Sequence, residues 1–270
     1  KNSDKVEQVA GDFLNRDDLK KALKGIDYVF HFISTTTPIT AENDPLIDIE
    51  TNIRMSVELF QLCVEAKIKR IIYPSTGGAV YGSSVAVGSA HKEIDPTLPV
   101  SPYAIGKLTV ENYLHYFYRK FDLDYIVFRI SNPYGSRQSA RSKQGVIPIF
   151  LDHIHNKTPI TVYGDGSMIR DYIYVQDLAN MIASVFNKKH LHRTYNLGSG
   201  DGNSVKEILE CIEKVTGKKA IIHREPVPAT FVDKVTLDTT RFTDEFHLTP
   251  TTTLEKGIGL TYRQMLKDGQ

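Results

Sequence analysis

The sequence predicts an α/β fold, a doubly wound parallel sheet followed by a smaller α/β lobe. Nearly continuous apolar runs alternate with amphipathic helical stretches over the first half, the pattern of strands covered on both faces. After Asn132-Pro133 the alternation loosens into loops, short strands and helices. That second half suits a lobe over the C-terminal edge of the strands, where open α/β sheets bind ligands.

The first strand is expected at residues 6–9 and ends at Gly11-Asp12. A helix follows over 17–23, then a strand over 28–33 and a long amphipathic helix over 47–66. The next strand, 70–74, is apolar and runs into Ser75-Thr76-Gly77-Gly78-Ala79-Val80-Tyr81-Gly82. A second long helix is predicted over 103–121, with Ser101 as N-cap and Pro102 at its first position, and then a strand over 125–130. The second half carries strands at 160–163, 171–175 and 220–223, and helices at 178–186 and 205–215. The glycine run at 198–202 is expected to lead into the last of these helices. Two intimately packed domains are expected: 1–132, with a returning segment near 171–187, and 133–270.

Composition narrows the function classes. Lysine and arginine number 33 and acids 32 in 270 residues, so no basic stripe points to nucleic acid. No apolar run reaches the roughly 18 residues of a membrane span. Cys63 and Cys211 both fall inside helical patterns and are expected as reduced core thiols in a cytoplasmic protein.

The chemistry concentrates in Ser75–Gly82 and in Ser101-Pro102-Tyr103-Ala104-Ile105-Gly106-Lys107. Tyr103 and Lys107 stand at i and i+4, so they share one helical face. A phenol beside an ammonium at the mouth of a parallel sheet suits proton transfer from a sugar or alcohol hydroxyl. Tyr116 and Lys120 repeat the spacing, but they lie mid-helix in an aromatic stretch and are expected to pack.

Taken with Asp27–Ser34, Asn52, Arg129–Gly135, Tyr163–Gly166, Arg170–Val175 and Tyr195–Gly200 in this order, these segments resemble the extended short-chain dehydrogenase/reductases. The likeness is to the NAD-dependent epimerase/dehydratase group typified by UDP-glucose 4-epimerase. It runs nearly end to end and implies a modified Rossmann domain with bound NAD, a nucleotide-sugar lobe, and a homodimer packed through the helices at 47–66 and 103–121. Relatives open with a glycine-rich strand–turn–helix that cradles the pyrophosphate, and roughly forty such residues are expected upstream of Lys1. The lost strand is expected between those at 6–9 and 28–33.

The resemblance assigns roles residue by residue. Tyr103 is the general base, and its phenol, ordinarily titrating at about 10, is expected to be drawn down by Lys107 and the nicotinamide. Lys107 also bonds the nicotinamide ribose. Asp12 holds the adenine, with Phe13 beside it. Phe32, Ile33, Ser34 and Ser75 lie under the cofactor; Asn52 faces it or caps the following helix. Asn132 and Arg170 take the diphosphate, Tyr163 stacks on the uracil, and Val146 and Thr161 line the same slot.

The sequence departs from the commonest pattern in three places. Gly77 stands where relatives usually carry the proton-sharing Ser or Thr, so Thr76 is assigned that hydroxyl. Gly78 and Ala79 stand where dehydratases and decarboxylases carry acids, which favours 4-epimerisation. Pro228 and Phe231 stand where relatives grip phosphate and ribose with Arg and Asp, leaving Arg224 or Asp233 to compensate. Val235, small where some relatives are bulky, leaves room for an N-acetyl group, so UDP-GlcNAc/UDP-GalNAc is expected alongside UDP-Glc/UDP-Gal. Two other classes remain open: a net NAD(P)-dependent nucleotide-sugar reductase or dehydrogenase, and a non-catalytic nucleotide-sugar binding relative.

Overall fold

A computed structural model describes residues 5–82, 89–138, 145–227 and 233–268. Pro228 and Phe231 lie outside them. The chain forms two compact units, Lys1–Ser75 with Pro99–Val127, and Thr76–Leu98 with Phe128–Gln270.

In the first unit α1 (Arg16–Ala22) is capped by Asn15, whose side chain accepts from the N–H groups of Asp17 and Asp18. Strand β1 (Tyr28–Phe30) is followed by two short helices, α2 (Pro38–Asn43) and α3 (Pro45–Ile47). A wide π-helical turn, Asp48–Ile53, runs into α4 (Arg54–Glu65). Then come β2 (Arg70–Thr76), the twenty-residue α5 (Pro102–Phe121) and β3 (Asp124–Ile130). Strands β1 and β2 pair in parallel, Tyr28 with Arg70 and Phe30 with Ile72. Phe60, Leu62 and Cys63 of α4, Ile71 and Tyr73 of β2, and Val110, Leu114 and Phe117 of α5 form the buried core. Burial pushes the Cys63 thiol up to about 12, so it is an inert core residue.

The expected strand at 6–9 is absent: these residues join no ladder, and Val6 and Val9 are each 61% exposed. A strand exists only through hydrogen bonds to a neighbour, and among the described residues no strand pairs with this segment or with the outer edge of β1. The strand expected over 28–33 also stops at Phe30.

In the second unit β4 (Asn132–Tyr134) precedes α6 (Val146–Asn156), β5 (Ile160–Tyr163), β6 (Ile169–Tyr174) and α7 (Val175–Val185). Next are β7 (Thr194–Leu197), β8 (Gly202–Ser204), α8 (Val205–Thr216), β9 (Ile222–Glu225), β10 (Lys234–Val235), α9 (Thr240–Phe246) and α10 (Leu254–Asp268). Strand β6 is central, parallel to β4 and β10 and antiparallel to β8. Strand β5 pairs with β9. A sheet of order β1-β2-β3-β7 and these smaller sheets together make the α/β architecture. Helix α8 opens with the capping box of Ser204 and Glu207, so the glycine run at 198–202 does lead into a helix. Its Ile208 and Ile212 pack with Ile147 and Leu151 of α6 and Ile258 of α10.

Tyr81, in the Val-Tyr-Gly segment, is a buried hub of this unit. It donates to Asn196 Oδ1 (2.7 Å), accepts from Arg129 (3.0 Å) and stacks on His91. The motif residues Tyr81, Arg129 and Asn196 thus fix one another, a structural task. Among the described residues no helix is long and apolar enough to cross a membrane.

Candidate active site

Helix α5 starts as its sequence demands: Ser101 Oγ accepts from the Ala104 N–H, and Pro102 supplies a fixed first turn. This cap sets Tyr103 and Lys107 on one face, and both line a cavity with His31, Ile33, Ser34, Asp48, Asn52, Ser56, Tyr73, Gly106 and Val110. Lys107 Nζ donates to the carbonyl of Pro74 at 3.0 Å, lies 4.9 Å from the Tyr73 ring centroid and 5.8 Å from that of Tyr103. The ammonium is thus held by a carbonyl and two ring faces.

Electrostatics follow from burial. Desolvation draws Lys107 down to about 8, against the pull of Asp48 and Glu111. The Tyr103 phenol is pushed above its ordinary value by burial first and the Asp48 charge second. The expected lowering of Tyr103 is therefore not built into the protein itself: a buried phenolate loses hydration, and the nearby acid repels it. His31, buried against Phe13, Phe60 and Tyr73, is pulled down to about 3 by burial and then by Lys107, so it is neutral at physiological pH. Its Nε2 meets Ser56 Oγ at 2.7 Å.

These values give a pH expectation. Lys107 is a cation below about pH 8 and loses its charge above it. Turnover that needs the cation falls along an alkaline limb centred near pH 8, and a Lys107→Arg variant, whose guanidinium does not titrate below about 12, lacks that limb. Steady-state pH profiles of both proteins check it.

The remaining predicted residues of this unit fall into two sets. Asn52 is fully engaged: Oδ1 accepts from the Thr35 N–H (2.9 Å) and hydroxyl, and Nδ2 donates to Thr36 Oγ1 and Asp48 Oδ1, both 2.8 Å. It does not cap α4, which begins without a side-chain cap; it sits in the π turn and fastens loop 34–37 to it. Ser75 is buried and donates to the Glu111 carboxylate. Phe32 and Ile33, beyond the end of β1, are 54% and 49% exposed, and Ser34 bonds the Thr36 carbonyl. Asp12 is exposed, and its Oδ1 accepts from the Leu14 N–H in a local turn; Phe13 packs against the core. Sequence reasoning missed Asp48, His31, Tyr73 and Glu111. No local signal marks Asp48, which stands four residues before Asn52 among Asp44, Glu50 and Thr51.

In the second unit a cavity of about 260 Å³ is lined by Asn132, Val146, Met168, Arg170, Tyr172 and neighbouring backbone. Asn132 Nδ2 donates to the Asp171 carbonyl (2.8 Å), which aims the side chain. Arg170 donates to the Ile169 carbonyl, and Asp233 reaches the same guanidinium through its carbonyl at 3.4 Å. Val235, buried, is the ladder partner of Arg170. Thr161 and Tyr163 lie on β5 and are not among this cavity's lining. Arg224 is committed to the Gly164 carbonyl at 2.7 Å.

Gly77 has a packing reason. A Cβ there would lie 2.5 Å from Leu237 Cδ1 and 3.0 Å from the Arg129 carbonyl, so a Ser or Thr would force Leu237 to move. Thr76, one residue earlier, is half-buried and keeps its hydroxyl.

Residues 1–198 match the model of the NAD dependent epimerase/dehydratase family. A dTDP-4-dehydro-6-deoxyglucose reductase of Escherichia coli is 34% identical over 86% of this chain and 73% of its own. The crystal structure of a UDP-glucose 4-epimerase from Thermotoga maritima with UDP-glucose superposes with a TM-score of 0.91 at 30% identity, covering 96% of this chain and 84% of that one. The UDP-glucose 4-epimerase of Thermus thermophilus in complex with NAD gives 0.90 at 27% identity, covering 98% and 86%.

The donor set at α5 fits the nicotinamide end of NAD. A desolvated ammonium and a phenol lie beside one another for ribose hydroxyls, and the exposed Phe32 and Ile33 offer an apolar ledge for a ring.

Proposed function

The chain belongs to the NAD dependent epimerase/dehydratase family, and on that premise we propose that it is an NAD-dependent 4-epimerase of UDP-sugars. The observation that carries this reading is the Tyr103–Lys107 pair in one cavity, with Gly78 and Ala79 where an elimination would need acids. Tyr103 Oη takes the proton of the sugar 4-hydroxyl and returns it after the 4-keto sugar has turned. NAD, held there by Lys107 and the neighbouring residues, would supply the acceptor for the C4 hydride, and the reaction would consume no net oxidant. Lys107 orients the ribose and keeps a positive charge beside the phenol. Thr76 is the substrate-side hydroxyl. Asn132 and Arg170 hold the diphosphate, the guanidinium suiting bidentate contact. Tyr163, Val146 and Thr161 are assigned to the uracil side, and Asp12, Phe13, Asn52 and Ser75 to the NAD side.

The test is turnover without added NAD(H). Purified protein should convert UDP-galactose to UDP-glucose, and heat denaturation should release near-stoichiometric NAD. Absence of both results would sink the reading.

The N-acetylated pair is expected to be accepted as well, because Val235 is small where some relatives are bulky; its side chain is buried, pairs in register with Arg170 and is not among the lining of the cavity of about 260 Å³. Comparable kcat/KM for UDP-GlcNAc and UDP-glucose is the expected result, and a strong preference for the plain hexose would overturn it.

The Escherichia coli relative favours a second reading, a net reductase. Mole-for-mole loss of NADH on a 4-keto nucleotide sugar, with no epimerisation, would select it. We further propose a cytoplasmic homodimer: Ile105, Tyr113, Tyr116 and Phe121 leave an apolar stripe exposed on α5. Light scattering at the dimer mass is the expected result.

A further inference from the structure

Asp48 is among the most buried charged residues of the first unit, 3% exposed, and the proton-transfer chemistry assigned above gives it no task. An ionised carboxylate is not buried without compensation. Here Oδ1 accepts from Thr36 Oγ1 at 2.5 Å and from Asn52 Nδ2 at 2.8 Å. Those two bonds satisfy one oxygen. The other, Oδ2, occupies the space that a Cβ on Gly106 would take. Gly106 lies between Tyr103 and Lys107 on α5, so the acid touches the very turn that carries the pair. Asp48, Gly106, Tyr103 and Lys107 line one cavity.

We propose that Asp48 is a positioning residue that acts through Lys107: its buried carboxylate pins the helical turn carrying Tyr103 and Lys107 and supplies the countercharge of the ammonium. The role rests on the epimerase reading only for its effect on turnover. It needs glycine at 106, because the carboxylate uses the space of a side chain there.

The titratable groups facing Lys107 come from every packed element: His31 after β1, Asp48 in the π turn, Tyr73 on β2, and Tyr103 and Glu111 on α5. His31 is neutral, and Tyr73 stays protonated because burial raises it well above its ordinary value. Negative charge at Lys107 therefore comes from Asp48 and Glu111, with Asp48 the larger influence. The same carboxylate opposes ionisation of Tyr103. Removing its charge consequently lowers the titration of both Lys107 and Tyr103, a paired shift that loss of packing alone does not produce.

The experiment is an Asp48→Asn substitution in the full chain as purified, read in two ways. Peptide-resolved labelling with acetic anhydride across a pH series titrates Lys107 without any turnover. The wild-type midpoint should lie near 8, and the variant's should fall by about one unit. The pH profile of kcat on UDP-galactose should shift both limbs to lower pH, with KM unchanged. An unchanged Lys107 midpoint in a folded Asp48→Asn protein overturns the proposal. If that protein does not fold, Gly106→Ala, which displaces the same carboxylate, is read identically: a lower midpoint supports the role and an unchanged one overturns it. If wild-type protein turns over no UDP-sugar, the epimerase reading fails, while the labelling still decides the fate of Asp48.

Discussion

Tyr103→Phe should reduce kcat by about a thousandfold, the scale at which general acid–base catalysis operates, while leaving KM and the folded state nearly unchanged. The expectation follows from where the hydroxyl stands. Tyr103 is half-buried on α5, and its ring is held by a capped helix start and not by its own hydroxyl, for which no hydrogen bond is needed to keep the fold. Phenylalanine fills the same volume, so the loss is chemical. The phenol also begins at a disadvantage, because burial and Asp48 both disfavour its ionised form. The compensating positive charge must come from Lys107 and from the bound cofactor together, so with NAD saturating, a Tyr103→Phe, Lys107→Met double variant should lose far less in kcat, relative to Tyr103→Phe, than Lys107→Met loses relative to wild type. Residues acting as one unit are not additive. A Tyr103→Phe enzyme retaining a tenth of wild-type turnover would remove the phenol from the reaction.

The second large effect concerns stability. Asp171 is fully buried on β6, and its carboxylate gathers the loop after β7: Oδ1 accepts from the Ser199 N–H and hydroxyl, both at 2.8 Å, and Oδ2 from the Gly200 N–H at 3.2 Å. A Cβ at Gly198 would collide with the same carboxylate, so acid and glycine are matched. Hydrogen bonds to a charged group contribute roughly 1.5–3 kcal/mol each, and water can recover part of that at the half-exposed loop. Asp171→Ala should therefore destabilise by about 3 kcal/mol, a fall in Tm of roughly 6–12 °C for a chain of this size. Since the Asp171 carbonyl aims Asn132 and its neighbour is Arg170, KM for the nucleotide sugar should rise as well. Thermal unfolding by circular dichroism, with KM measured well below Tm, checks both parts. A Tm within about two degrees of wild type would show that the loop is held by something else.

Much of the first unit was legible because its long elements carry their own signals. Helix α5 announces itself through Ser101, Pro102 and an unbroken periodicity, and that start alone places Tyr103 over Lys107. Strands β2 and β3 carry apolar centres, Ile71-Ile72-Tyr73 and Tyr125–Phe128, buried as a two-sided sheet requires. Residues 6–9 are also rich in valine yet form no strand, because pairing is supplied by a neighbour and not by the segment itself. Helix α6 was hidden for another reason: its start, Val-Ile-Pro-Ile-Phe-Leu, is an apolar run with a proline and no side-chain cap, which masks the Ile147, Phe150, Leu151, Ile154 spacing of its buried face. The two-to-four-residue strands β4, β7, β8 and β10 are too short to have one.

The site divides in the same way. Asn132, Val146 and Arg170 line one cavity. Thr161 and Tyr163 do not line it, since β5 belongs to a separate two-stranded ladder with β9. Asp48 was invisible because nothing local makes it special. Its meaning depends on a loop folding back with Thr36 and on a glycine in a distant helix.

The π-helical turn Asp48–Ile53 carries a consequence for how such a site changes over generations. One extra residue per turn is accommodated there, and helices hold such widened turns preferentially at functional positions. An extra residue held in a widened turn leaves the flanking faces in register, so deleting one residue within it would restore ordinary winding with Asp48 still on nearly the same side of the helix. Substitution of Asp48 itself, more than a change of length in this turn, is thus the step by which a lineage would lose the buried charge.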